Sequence, residues 1–170
     1  MFKVGDYIMY GKNGVCRLTE ICRSPFDESD PRIYYVLKPL VGSPAVIYTP
    51  VDNDKVVFRA LMAKKDADRL IEKMPLIEEL TVENEKKRRD VYKAATASLY
   101  PEGFVSVIKT VRVRRRMLES ERRHITEVDS EYESYAKRSL YGELSVVLGI
   151  PFEDIERYIV DKIAALGAEA

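Results

Sequence analysis

Apolar positions in the first third of the chain recur at a spacing near two, and in the remainder at a spacing near 3.6. Val4, Tyr7 and Met9, then Val15, Cys16, Leu18 and Ile21, then Ile33, Tyr35 and Leu37, then Val46, Ile47 and Tyr48, then Val56 to Phe58 form short runs broken by Gly, Pro, Asn and Asp. Such runs read as half-buried strands, about five between Phe2 and Phe58. The string suits an SH3-like or Tudor-like barrel. Gly11-Lys12-Asn13-Gly14 reads as the first hairpin, because Gly and Asn tolerate the positive φ of tight turns. Ser24 to Arg32, with Pro25 and Pro31, reads as an exposed loop.

Near Ala60 the period changes. Ala67, Leu70, Ile71 and Met74 form one face of a helix that Pro75 stops. A second helix is predicted from about Val82 to Leu99, with Val91, Ala94, Ala95 and Leu99 inward and Thr81 as N-cap. A third runs from about Glu102 to Leu118 with Phe104, Val107, Ile108, Val111 and Leu118 on one side. The fourth, roughly Ser130 to Leu148, aligns Tyr132, Tyr135, Ala136, Leu140, Leu144 and Val147, with Asp129 as cap and Gly149 as terminator. Pro151 opens a fifth carrying Phe152, Ile155, Ile159 and Ile163. The predicted fold class is α+β: an SH3/Tudor-like five-stranded β barrel over residues 1–60, then an all-helical domain of about five helices over 61–170.

Composition fits that picture, since 46% hydrophobic and 33% charged residues suit a soluble globular chain. No apolar run approaches the roughly 20 residues needed to cross a bilayer, and the first residues lack a signal-peptide pattern, so a cytoplasmic protein is expected. Cys16 and Cys22, six positions apart on one predicted strand, would share a face yet stand too far apart to bond. Reduced, packed thiols are expected.

The 28 basic and 28 acidic residues cancel, which argues against coating DNA by bulk attraction and moves attention to local clusters. Lys86, Lys87, Arg88 and Arg89, with Lys93 one turn further, form one. Arg112, Arg114, Arg115, Arg116, Arg122 and Arg123 form another, and from Lys109 to Arg123 seven basic residues face only Glu119 and Glu121. Guanidinium groups match phosphate oxygens in pairs, so the mixture suits a nucleic-acid backbone. Solvated helix faces laced with ion pairs, such as Glu85 with Arg89, have the same look. Arg115 falls inside the apolar stripe of its helix. Either the stripe stops early, or Arg115 snorkels or meets a carboxylate.

Catalytic patterns are lacking. There is no Gly-rich phosphate loop ending in Lys-Ser or Lys-Thr, His124 lies in a polar segment that reads as solvated surface, and the carboxylates are scattered along helix faces. A binding protein is expected, without metal, cofactor or small-molecule substrate.

The opening Phe2-Lys3-Val4-Gly5-Asp6-Tyr7-Ile8-Met9-Tyr10, the turn Gly11 to Gly14 and Val15-Cys16 resemble the RNA polymerase-binding module of the CarD/CdnL family, which also occurs in transcription-repair coupling factors. The likeness continues through Tyr34-Tyr35-Val36-Leu37 and Ile47-Tyr48-Thr49-Pro50-Val51, and more loosely to Tyr141-Gly142-Glu143-Leu144. It implies a cytoplasmic transcription regulator whose barrel adds an edge strand to the β subunit of bacterial RNA polymerase. The matching edge is Val46, Ile47, Tyr48, Thr49 and Pro50, where Pro50 limits pairing because it lacks an N–H. It also implies a helical domain placed beside the upstream edge of melted promoter DNA. The family's wedge tryptophan precedes an Arg-Arg-Tyr-Lys segment, but this chain has no Trp, and Lys87 to Ala94 stands in the corresponding place. A basic patch of relatives is here Asp129 and Ser130. Weak, non-specific backbone contact through Lys86, Lys87, Arg88, Arg89, Lys93, Arg112, Arg114, Arg116, Arg122 and Arg123 is the expectation. The competing reading is a protein-interaction adaptor with no DNA contact.

Overall fold

The computed structural model describes residues 1–167, which divide into two compact units, Met1–Leu61 and a second beginning at Met62. The first holds five strands: β1 (Tyr7–Tyr10), β2 (Val15–Arg23), β3 (Ile33–Pro39), β4 (Ile47–Pro50) and β5 (Phe58–Ala60). All neighbours are antiparallel, in the order β4-β3-β2-β1-β5. The strands at opposite ends of that order meet one core: Ile47 of β4 and Phe58 of β5 both pack on Ile8, Tyr10, Cys16, Leu18, Tyr35 and Leu37. One sheet can serve both its ends in this way only by curling on itself, which is the barrel-like form the alternation predicted. The β1–β2 turn ends at Gly14, whose φ of 69° and ψ of −144° suit glycine alone.

A β-bulge decides which β2 residues face inward. Leu18 pairs with Leu37, yet Glu20 pairs with Val36, so Thr19 is the extra residue and its hydroxyl donates to the Val36 carbonyl at 3.1 Å. An extra residue inverts the two-residue alternation beyond it. Cys16 therefore points into the core, while Cys22, opposite Tyr34, lies on the outer face. The shared face predicted for the two thiols is thus corrected. In β1 the pair that packs in the barrel core is Ile8 and Tyr10 rather than the predicted Tyr7 and Met9; Met9 is buried all the same, and Val4 is exposed.

The second unit contains α1 (Lys64–Lys73), α2 (Arg88–Thr96), α3 (Pro101–Ser120), α4 (Glu127–Leu148) and α5 (Ile155–Ala165). The apolar stripes of α1, α3, α4 and α5 are buried as predicted except at Val147 and at Phe152, which is half-buried on a 3-10 turn (Phe152–Asp154) ahead of α5, and Gly149 ends α4 in the left-handed region. The helix predicted from Val82 begins later. A single 3-10 turn, Glu85–Lys87, precedes α2, and Asn84 rather than Thr81 supplies the cap, accepting from the Lys86 N–H at 3.0 Å. Its buried face is also different: Arg88, Tyr92 and Thr96 are inward. Helix α4 starts three residues ahead of the predicted Ser130. Thr126 is its N-cap, and Asp129 completes a capping box from the third helical position.

Two further contacts tie the helices. A Cβ at Gly103 would lie 1.9 Å from the Ala95 carbonyl oxygen, so α2 and α3 approach closely only because this residue has no side chain. The Lys109 ammonium of α3 donates to the Met74, Pro75 and Ile77 carbonyls, capping the end of α1 with positive charge. No described helix is long and apolar enough to cross a membrane.

Candidate functional site

Strand β4 pairs with β3 and with no other described strand. The Val51 N–H donates to the Ile33 carbonyl at 2.9 Å. Counting back in steps of two along the antiparallel register, Thr49 and Ile47 also turn their backbone groups toward β3. Tyr48, opposite Val36, therefore directs its N–H and C=O away from the barrel. Pro50 offers a carbonyl there but no N–H, so a strand added to β4 finds a short ladder with Tyr48 as its donor.

The side chains alternate in the same rhythm. Ile47 packs on the core and Thr49 is buried, its hydroxyl accepting from Asn53 Nδ2 at 2.8 Å. Val46, just before the strand, and Tyr48 are exposed. Of the five predicted edge residues, the strand thus turns Tyr48 and Pro50 outward and Ile47 and Thr49 inward. One outward neighbour was not evident in the sequence. Phe26, 73% exposed, meets Tyr48 edge-on at 5.5 Å and Tyr34 at 6.2 Å. Its loop is fixed by local hydrogen bonds: Ser24 Oγ accepts from the Phe26 and Asp27 N–H groups, and Asp30 binds the Arg32 guanidinium and the Tyr34 hydroxyl. Those bonds hold the Asp30 carboxyl well below the usual carboxylate range, Arg32 contributing most. An ordered, water-exposed aromatic beside an open strand edge has the make-up of an interface anchor.

The predicted basic residues separate into two groups. Arg88 and Arg114 are drawn inward around Asp129, which is fully buried. Asp129 accepts from the Tyr92 hydroxyl at 2.7 Å, from Arg114 Nε at 3.0 Å, and from the Thr126 N–H and hydroxyl at 3.0 and 2.8 Å. Arg88 Nη1 lies 3.5 Å from the same carboxylate and donates to the Tyr92 oxygen at 2.9 Å. Both guanidiniums also grip Glu85. Burial alone would raise the Asp129 pKa, but the bonds from Tyr92 and Thr126 and the Arg88 charge outweigh it and hold the group below its ordinary 3.8. Burial and the bond to Asp129 push the Tyr92 hydroxyl up to about 12. This cluster joins α2, α3 and α4, and its inward donors are engaged.

Arg89 pairs with Glu131 at 2.7 Å and Arg123 with Glu121 at 3.1 Å, both at the surface. Arg115 meets Glu133, which also lies 3.5 Å from Lys137. The carboxylate alternative for Arg115 is therefore the one realised. Lys86, Lys87, Lys93, Arg116 and Arg122 are exposed, and together with the half-buried Arg112 they have no ion-pair partner among the described residues. His124 is exposed. No described group of His, Cys, Asp and Glu is arranged to hold a metal ion.

The sequence signal for the buried cluster was the Thr126-x-x-Asp129 spacing of a capping box. Nothing in the sequence marks Arg88 and Arg114, distant in the chain, as partners of the same carboxylate. Residues 2–61 match the family model described as the CarD-like/TRCF RID domain. No curated protein matches the chain.

Proposed function

With residues 2–61 a CarD-like/TRCF RID module, the kind of domain that interacts with RNA polymerase, we propose that this protein is a transcription regulator which docks on the polymerase β subunit by strand addition along β4. The observation that carries this reading is the outward-facing backbone of Tyr48 on a strand that ends its sheet. Main-chain bonds to the added strand supply affinity, and the Phe26–Tyr48 aromatic pair supplies choice of partner. The protein acts by binding, without catalysis of its own. Docked in this way, the helical unit stabilises promoter complexes by touching the DNA backbone through Lys86, Lys87, Lys93, Arg112, Arg116 and Arg122, whose charges have no ion-pair partner among the described residues. Such contacts position the duplex and read no sequence.

One observation favours a second reading, an adaptor with no DNA contact: Arg88 and Arg114 are both committed to one buried carboxylate, that of Asp129. The two readings separate on salt. Each phosphate contact releases counterions, so DNA affinity in the regulator reading falls steeply as salt rises, and the adaptor shows no DNA term.

The docking itself is tested with Tyr48→Pro and Tyr48→Ala. Proline removes the outward N–H without touching a bond to β3, and alanine removes the ring but keeps the donor. Binding to purified polymerase is expected to weaken about tenfold or more for Tyr48→Pro, on the order of 1–2 kcal/mol for a lost interface hydrogen bond. Tyr48→Ala should weaken it less. Equal, undiminished binding of both variants overturns the β4 reading.

A further inference from the structure

The carboxylate of Glu85 is held by two guanidiniums at once. Arg88 donates through Nε to Oε2 at 3.0 Å and through Nη2 to Oε1 at 2.7 Å. Arg114 donates through Nη1 to Oε1 at 3.0 Å and through Nη2 to Oε2 at 2.9 Å. Two forks converging on a pair of oxygens form an oxyanion cradle, and the same donor geometry fits a phosphate. The cradle is built rather than incidental. Asp129 fixes Arg114 from behind through Nε, the Tyr92 hydroxyl fixes Arg88, and both arginines are largely buried.

Its occupant is the least buried member. The Glu85 side chain is 60% exposed and stands on a 3-10 turn of three residues. Beside it lies a groove of about 310 Å³ lined by Leu80, Val82, Val113 and Met117, with Glu79 and Thr110 as its other polar members. The Thr110 hydroxyl is engaged with the Leu80 N–H and the Ser106 carbonyl. Asp129 neutralises one of the two guanidiniums, so displacing Glu85 leaves one net positive charge in the cradle, with Lys86 and Lys87 next to it in the chain. Glu79 on the groove wall is the one opposing charge.

We infer that Glu85 is an internal plug in a phosphate-binding site formed by Arg88 and Arg114, and that a phosphate group from a nucleic-acid backbone or a free phosphorylated ligand binds by exchanging with it. The carboxylate acts at the high effective concentration of a tethered group, which keeps the site weak until the turn carrying Glu85 swings away. The inference is independent of polymerase docking. Its link to the proposed DNA contact lies only in the duplex arm of the test below.

The test uses the full chain with orthophosphate as probe, following the side-chain Nε–Hε signals of Arg88 and Arg114 by NMR. Glu85→Ala should bind orthophosphate at least tenfold tighter than wild type, Glu85→Gln should fall between them, and adding Arg114→Gln to Glu85→Ala should abolish the gain. A Glu85→Ala protein with wild-type helical circular dichroism that binds no tighter than wild type overturns the inference. If Glu85→Ala fails to fold, Glu85→Gln decides by the same criterion. A parallel titration with a short duplex identifies the source: a gain for both probes assigns the site to the nucleic-acid backbone, and a gain for orthophosphate alone assigns it to a free phosphorylated ligand. Gains that survive Arg114→Gln place the anion elsewhere and also overturn the inference.

Discussion

Replacing Asp129 with Asn keeps the side chain's size and removes its charge, and the structure fixes what is lost. The carboxylate accepts from Tyr92, Arg114 and twice from Thr126, while its charge balances guanidiniums whose side chains are only 7% and 14% exposed. An amide retains one acceptor and turns an N–H₂ toward donors. Removing one partner of a buried ion pair costs about 3–5 kcal/mol, because the remaining charge stays buried without compensation; loss of the α4 capping box falls within that figure rather than adding to it. Domains of this size are stable by only about 5–15 kcal/mol, so the loss removes a large share. Urea unfolding followed by helical circular dichroism should show the midpoint falling with an unchanged slope. The pH dependence provides an independent check. Asp129 has a folded pKa below its unfolded value, so its contribution is present above about pH 3.8 and is lost as pH falls through the folded pKa. Wild type should lose stability on acidification through that window, and Asp129→Asn should lose correspondingly less there. A change of under about 1 kcal/mol at neutral pH would refute the view of this cluster as the joint of α2, α3 and α4.

Three other outcomes follow from single contacts. Gly103→Ala places a methyl group against the Ala95 carbonyl oxygen and should destabilise the helical unit by about 1–3 kcal/mol in the same urea assay, whereas an exposed helix position would gain from alanine. Phe26→Ala should leave the barrel's thermal stability near wild type and weaken polymerase binding about tenfold, as truncation of an exposed anchor does. In native protein at pH 8 a thiol reagent should titrate Cys22 and leave Cys16 unreacted, since burial pushes the Cys16 thiol up to about 11; both should react in denaturant.

The architecture was legible wherever burial follows period. The stripes Ala67–Leu70–Ile71 and Ile155–Ile159–Ile163 are buried as their spacing requires, and five strands form in the predicted order, although β5 begins only at Phe58, the last residue of the run predicted for it. Misreadings arose where a local event resets the period or a polar group replaces an apolar one. The bulge at Thr19 reverses the faces of β2, and a single extra residue leaves no mark in hydrophobicity. Helix α2 turns Arg88 inward because a carboxylate on α4 receives it, a pairing 41 residues apart in sequence that neither segment signals alone. The edge position of β4 was implied by the family resemblance and not by its own residues, to which Pro50 added only that pairing is limited there. Phe26 was not legible, since an aromatic residue between prolines in a polar loop looks like any other loop residue until Tyr48 is seen beside it.

The central claim, that β4 is completed by a strand of RNA polymerase, is tested most directly by amide hydrogen exchange at Tyr48 in the free protein and in its complex with polymerase. The Tyr48 N–H points to solvent in the isolated barrel, so its exchange should be fast when free and slowed at least a hundredfold on binding, while the Thr49 amide, already turned toward β3, changes far less. A stable complex in which the Tyr48 amide exchanges as fast as in the free protein would contradict the account.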